Sequence, residues 1–250
     1  MKKDEGYTTF GYQEVSVREK FRRVDKVFSS VAPNYDLMND LMSFGVHRFW
    51  KKYAVEILDI EDGQVILDLA SGTGDISRLI GEKLGGNNVL LSCDANFRML
   101  SNGRDKLTNR GLVNGLTYIS VEAESLPFPD ASVNRVIVSF GLRNFSDKKK
   151  ALDEMYRVLK IGGRLVLLEF SAVRNPFLSR FYDFYSFKVL PHLGEAVAKD
   201  RESYQYLVES IRQHPDQESL KRMIEAGGFE KVSYFNFLSG IVAIHLAQKI

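Results

Sequence analysis

The sequence has a single cysteine, Cys93, in 250 residues. One cysteine cannot close an internal disulfide, so stability must come from a buried core, and the count fits a reducing compartment. No stretch approaches the roughly 18 consecutive apolar residues of a membrane span. Residues 1–15 also lack an apolar segment of signal-peptide type, so the reading is a cytoplasmic chain. An excess of one charge is missing too: 34 Lys and Arg face 32 Asp and Glu, a net +2. With no basic run interleaved with aromatics, no nucleic-acid partner is expected. Repeats, low-complexity tracts and linkers are absent as well. What remains, 44% hydrophobic and 26% charged residues, describes one α/β domain with helical additions.

A further absence is the third glycine of a dinucleotide-binding loop. The apolar run Val65-Ile66-Leu67-Asp68-Leu69 breaks into Ala70-Ser71-Gly72-Thr73-Gly74-Asp75, the pattern of a buried parallel strand turning into a helix. Gly72 and Gly74 let the backbone approach a ligand. A pyrophosphate loop wants glycine where Asp75 stands, and Asp68 adds a second acid just before the turn. Two carboxylates repel pyrophosphate but suit a ligand carrying an amine and a sulfonium cation, which is S-adenosylmethionine. The next strand, 88–94, ends in Asp94, about 20 residues past the loop, where ribose hydroxyls would lie. Asp68, Gly72 and Asp94 are therefore cofactor candidates.

Residues 1–16 are polar and are expected to be loose unless they fold over a ligand. A helical pattern starts at Val17 with Phe21, Val24, Val27 and Phe28. The stretch 35–50 mixes large apolar residues with Asp36, Asn39, Ser43 and His47, as packing residues or as a cap over the cofactor mouth. Beyond the glycine loop come a helix over 98–110, strands over 116–121 and 133–140, a helix over 149–159, and a strand over 164–170 after Gly162-Gly163. This alternation predicts a mostly parallel, doubly wound sheet. Ligands of such sheets bind beyond the strand C-termini, which places Arg143 and Asn144 to meet a substrate. The segment 171–215 breaks the alternation with Phe177, Phe181, Tyr182, Phe184, Tyr185 and Phe187, giving a channel, a lipid-facing patch or a packed helix pair. A helix over 217–226 ends at Gly227-Gly228, and runs over 230–236 and 240–248 form an antiparallel hairpin.

The chain resembles the ubiquinone/menaquinone biosynthesis C-methyltransferases, the UbiE family, within the class I S-adenosylmethionine-dependent fold. The resemblance rests on Tyr35-Asp36-x-Met38-Asn39-x-x-Met42-Ser43-x-x-x-His47-x-x-Trp50, and on Arg157-Val158-Leu159-Lys160-Ile161-Gly162-Gly163-Arg164-Leu165 with Glu169-Phe170-Ser171. Ser139-Phe140-Gly141-Leu142-Arg143-Asn144 and Glu209-Ser210-Ile211-Arg212-x-His214-Pro215 extend it. Ile161 stands where the family usually has proline, and Glu122 where relatives often carry asparagine. The resemblance implies a Rossmann-like class I fold: a seven-stranded, mostly parallel sheet with an antiparallel last strand, a helical N-terminal cap and a helical insertion. In residues, that is a cap over 1–60, a cofactor core over 64–170, a substrate insertion over 171–215 and a terminal helix and hairpin over 216–250.

By the same resemblance Thr73, Asp94, Glu122, Ala123 and Ser139 contact S-adenosylmethionine, without a metal. The implied reaction methylates a ring carbon of a polyprenyl hydroquinone, a naphthoquinol, a benzoquinol or both. Such a carbon becomes nucleophilic only when a ring hydroxyl loses its proton. Arg143 would stabilise the phenolate or order a water, with Asn144 orienting it and His47 as titratable helper. Tyr182, Tyr185, Tyr204 and Arg212 fall on the substrate side. A peripheral contact on the inner face of the cytoplasmic membrane follows, and a homodimer or a quinone-biosynthesis complex stays open. Competing readings are a methyltransferase for another lipid or phenol and a non-catalytic S-adenosylmethionine-binding scaffold.

Overall fold

A computed structural model describes residues 6–85, 87–189, 191–192, 195 and 200–250, the side chains of Leu41, Phe181 and Asp183 excepted. Part of the segment 171–215 thus lies outside the described residues. The first departure from expectation is at the N-terminus. Instead of a loose segment, β1 (Tyr7–Phe10) and β2 (Gln13–Ser16) form an antiparallel hairpin. Gly11 takes a positive φ of 55° at the turn, as glycine does without strain. So short a hairpin needs outside support. Phe10 stacks on Tyr206 with centroids 4.1 Å apart, and the Tyr12 backbone N–H donates to Glu209.

The cap follows as α1 (Val17–Val31), α2 (Tyr35–Ser43) and α3 (His47–Ile57). Ser16 caps α1 by accepting from the Glu19 N–H, and Pro33 interrupts the chain in the short turn before α2. The core alternates β3 (Val65–Leu69), α4 (Asp75–Gly81), β4 (Val89–Asp94), α5 (Phe97–Thr108), β5 (Leu116–Ser120), β6 (Val133–Ser139), α6 (Lys148–Val158) and β7 (Leu159–Phe170). Then come α7 (Pro176–Phe184) with a π-helical turn (Tyr185–Val189), α8 (Arg201–Gln213), α9 (Gln217–Ala226), β8 (Glu230–Phe237) and β9 (Val242–Gln248).

The seven-stranded sheet has the order β5-β4-β3-β6-β7-β9-β8, parallel from β5 to β7, with β9 antiparallel to both neighbours. The expected doubly wound sheet with its reversed last strand is therefore what forms. Strand β7 begins five residues earlier than the glycine pair suggested, because a register shift against β6 absorbs Gly162-Gly163. Period-two alternation sends Ile66, Ile137 and Val166 to one face, against Trp50 and Ala54 of α3 and Ile80 of α4. Leu67, Val136 and Leu165 go to the other, against Leu152 of α6 and Ile224 of α9. Each fully buried aliphatic contributes roughly 1.5–3 kcal/mol. Cys93 is one of these core residues, fully buried, its thiol pushed up to about 12 by burial and so unreactive.

Candidate functional site

Strand order reverses between β3 and β6, and there the sheet opens a cleft beyond its carboxyl ends. The open space of this cleft, its solvent-facing mouth included, is about 800 Å³. Two non-glycine residues at its floor, Ala70 (φ 58°) and Phe140 (φ 58°), occupy the left-handed region at the ends of β3 and β6. Such conformations cost of order 1–3 kcal/mol and cluster at ligand sites. Gly141 lets these two strand ends meet, since a Cβ there would lie 2.6 Å from Ala70 Cβ. A smaller cavity of about 280 Å³ adjoins the cleft, with Tyr35, Ala70 and Ser139 lining both.

Gly72, Asp94, Glu122, Ala123 and Ser139 line the main cleft, and Asp68, Thr73 and Ser139 line the smaller cavity. Asp94 accepts the Gly72 N–H at 2.8 Å and the Asn96 N–H at 2.8 Å, and burial pushes its carboxyl up to about 6. Asp68 accepts from the Ser77 hydroxyl at 2.6 Å, its other oxygen has no hydrogen-bond partner among the described residues, and burial pushes it up to about 7. The Ser139 hydroxyl is likewise buried without a partner. Unmet acceptors and hydroxyls on a shared cavity are what a polar, cation-bearing ligand would satisfy. These residues therefore fit a polar, cation-bearing ligand such as S-adenosylmethionine.

Asp75 corrects the picture of two free acids. Lys51 Nζ lies 2.9 Å and Lys106 Nζ 3.1 Å from its carboxylate. Burial alone would raise its pKa, but the two lysines outweigh that and hold it low. Lys106 also reaches Asp36 at 2.7 Å, and Thr73 donates its hydroxyl to Asp36 at 3.0 Å. This network ties the glycine loop to the cap, while Asp68 keeps one carboxylate oxygen without a partner among the described residues.

Arg143 and Asn144 divide the role expected of them jointly. Arg143 is 5% exposed and its guanidinium is locked at 2.7 Å on Glu169, itself 1% exposed, with a further bond to the Phe140 carbonyl. The Arg143 side chain does not line the cleft; Asn144 does, its amide oxygen accepting from Tyr206 Oη at 3.0 Å. His47 lines neither cavity. Buried on α3, it lies 2.9 Å from Asp40, and burial, with Lys51 nearby, lowers its pKa. Tyr182, Tyr185, Tyr204 and Arg212 also stay off the cleft wall. Tyr182 is buried and pushed up to about 12, Tyr185 packs on Phe44 at 4.8 Å, Tyr204 is buried on α8, and Arg212 covers the Phe187 ring at 5.7 Å.

Sequence reasoning missed several groups at the cleft. Tyr35 joins the two cavities, and Phe21, Val24 and Phe28 of α1 roof the main one. Asn96 caps α5 and donates to Asp25 and Ser29 of α1, fastening that roof. Gly103, in mid-helix, lets α5 pack on the glycine loop: a Cβ there would lie 3.1 Å from Gly72 O. A glycine inside an amphipathic helix was the available signal.

Residues 15–249 match the model of the ubiE/COQ5 methyltransferase family. The chain is 54% identical over 245 residues to the ubiquinone/menaquinone biosynthesis C-methyltransferase UbiE of Xanthomonas oryzae pv. oryzae, covering 98% of this chain and 97% of that one. It is 50% identical to the protein of the same name from Methylococcus capsulatus, covering 98% and 99%. Among solved structures, a SAM-dependent methyltransferase from Aquifex aeolicus superposes with a TM-score of 0.63 at 16% identity, covering 88% of this chain and 98% of that one.

Proposed function

The chain belongs to the ubiE/COQ5 methyltransferase family, and from that premise we propose that it methylates a ring carbon of a polyprenylated hydroquinone. The acceptor is a demethylmenaquinol, a methoxy-benzoquinol or both, as in the biosynthesis named for its relatives. The carrying observation is a pair of adjoining cavities, sharing Tyr35, Ala70 and Ser139, that present polar groups for the cofactor, Asp68 and Ser139, and a polar group for an acceptor, Asn144. When bound, S-adenosylmethionine supplies an electrophilic methyl group.

On this reading Asp94 accepts the ribose hydroxyls, Glu122 and Ala123 flank the adenine, and Gly72, Thr73, Asp68 and Ser139 hold the remainder. Asn144, fixed by Tyr206, hydrogen-bonds the acceptor oxygen. The Arg143 cation, oriented by Glu169, lies behind it and favours the phenolate over the phenol. Arginine does not itself take the proton. His47 acts by position, anchoring α2 to α3 through Asp40. The α1 roof keeps water from a methyl donor that must be held in line with its acceptor carbon.

The segment 171–215, with Tyr182, Tyr185, Tyr204 and Arg212, shelters the prenyl tail, whose burial is worth about 0.8 kcal/mol per methylene. The domain then reads as a cap over 1–60, a cofactor core over 64–170, that insertion, and a terminal unit over 216–250. No described helix is long and apolar enough to cross a membrane; the proposed route to such a substrate is a peripheral contact at the inner face of the cytoplasmic membrane. The test is transfer of labelled methyl from S-adenosylmethionine to reduced demethylmenaquinol and, separately, to the polyprenyl methoxy-benzoquinol. Label in either supports the proposal. Label in neither, with the cofactor bound by calorimetry, turns to another acceptor or a scaffold.

A further inference from the structure

Three segments far apart in sequence present large aromatic and aliphatic side chains to solvent in one place. From the C-cap of α2 comes Phe44, 70% exposed, and from the first turn of α3 Phe49, 58% exposed. From the end of α7 and the π-helical turn come Phe184, 62% exposed, and Phe187. From the turn between β8 and β9 comes Leu238, 53% exposed, next to Phe237. Ring contacts stitch the three together: Phe44 on Tyr185 at 4.8 Å, and Phe237 on Phe49 at 6.2 Å and on Tyr53 at 5.5 Å. Phe44 is also held at φ 51°, a left-handed conformation costly for a bulky residue. Folding of the isolated chain gains little from an exposed ring held in that way, whereas a contiguous apolar patch marks a surface that meets a partner.

Charge chooses the partner. Over 44–53 and 174–189 the exposed ionic side chains described are Arg48, Lys52, Arg174, Arg180 and Lys188, all basic, of which Arg48 is paired with Asp40 at 2.6 Å and the others supply the positive charge of this face. A second copy seated face to face would bring these cations together and repel. An anionic lipid surface takes the cations at its headgroups and the rings at the acyl boundary, the arrangement of interfacial helices. The same two cap helices reach the cleft: Tyr35 of α2 lines it, and Trp50 of α3 lies 6.5 Å from Phe140, which also lines it.

We propose that Phe44, Phe49, Phe184, Phe187 and Leu238, with the exposed Lys52, Arg180 and Lys188 of the same segments, seat the protein on an anionic bilayer so that the cap leads a membrane-borne substrate from the lipid to the cleft. This rests on the quinol reading above and names the face through which it operates.

The test is flotation of the full chain with vesicles of phosphatidylcholine alone or mixed with phosphatidylglycerol, followed by turnover on a short-tailed, water-soluble quinol. The expected result is capture by the anionic vesicles, weakened at least tenfold in Phe44→Ser/Phe49→Ser and in Arg180→Gln/Lys188→Gln, with the thermal melt and short-tail turnover kept. Absence of capture, or capture indifferent to both double variants, overturns the face. So does a concentration-dependent dimer dissolved by Phe44→Ser/Phe49→Ser in place of vesicle binding. Capture by vesicles with no turnover on any quinol instead upholds the face and removes the quinol reading.

Discussion

Replacing Glu169 by leucine tests whether Arg143 works as a charge held in place by the fold. In the native chain one Glu169 oxygen accepts from the Arg143 guanidinium at 2.7 Å and from the Phe170 N–H at 2.9 Å, and the other accepts the Arg143 backbone N–H at 3.2 Å. Glu169→Leu leaves the guanidinium buried with only the Phe140 carbonyl and the face of the Phe170 ring among the described residues, its Nε already without a partner there. Breaking one half of a buried pair costs about 3–5 kcal/mol. At about 2–4 °C per kcal/mol for a chain of this size, Tm falls by roughly 6–20 °C. Arg143→Leu/Glu169→Leu removes both charges and is expected to cost less than Glu169→Leu alone.

Urea unfolding can be followed through Trp50, the sole tryptophan, which is buried. In parallel, Glu169→Leu lowers turnover about as far as Arg143→Ala, with S-adenosylhomocysteine affinity by calorimetry unchanged within a few-fold. A cost under about 1 kcal/mol, below the range for buried pairs, would refute the reasoning. So would a double variant whose cost is the sum of the singles.

Other perturbations read other parts of the site. Lys20, buried on α1 and donating to the Phe145 carbonyl at 2.8 Å, is pushed by burial down to about 7, against about 10.4 when unfolded. The unfolded chain binds more protons between those values, so native stability rises with pH across that window. Lys20→Met therefore gains most over the parent at pH 6 and loses that advantage by pH 10, read from urea midpoints. Asp94, pushed up to about 6, accepts ribose hydroxyls best when ionised, so S-adenosylhomocysteine affinity falls from pH 7 to pH 5; Asp94→Asn should bind weakly with a shallower slope, the remainder coming from Asp68, itself pushed up to about 7. Gly103→Ala drives a methyl against the glycine loop and weakens cofactor affinity at least tenfold by calorimetry, while far-UV circular dichroism is kept.

The sheet was legible because its signals are local: apolar runs, glycine breaks and the cap of α9 fix each element within a few residues of its neighbours. The same holds for the glycine loop and for Asp94 at the end of β4. What escaped is carried by partners distant in sequence. The N-terminal hairpin depends on Tyr206 and Glu209 of α8, so polar residues 7–16 alone read as loose. Asp75 looked free because its lysines arrive from α3 and α5, and Arg143 looked available because Glu169 lies a strand away. Periodicity found the apolar stripe of α1, but the stripe does not say that Phe21, Val24 and Phe28 also line a cleft.

The central claim is that a ring carbon receives the methyl group. Its most direct test is carbon-13 NMR of the product formed from S-adenosylmethionine labelled in the methyl group and a reduced polyprenyl quinol. The account predicts a ring-attached methyl resonance from the wild-type enzyme, strongly reduced in Arg143→Ala with cofactor affinity intact. A methyl on the quinol oxygen, or full carbon methylation by Arg143→Ala, would contradict it.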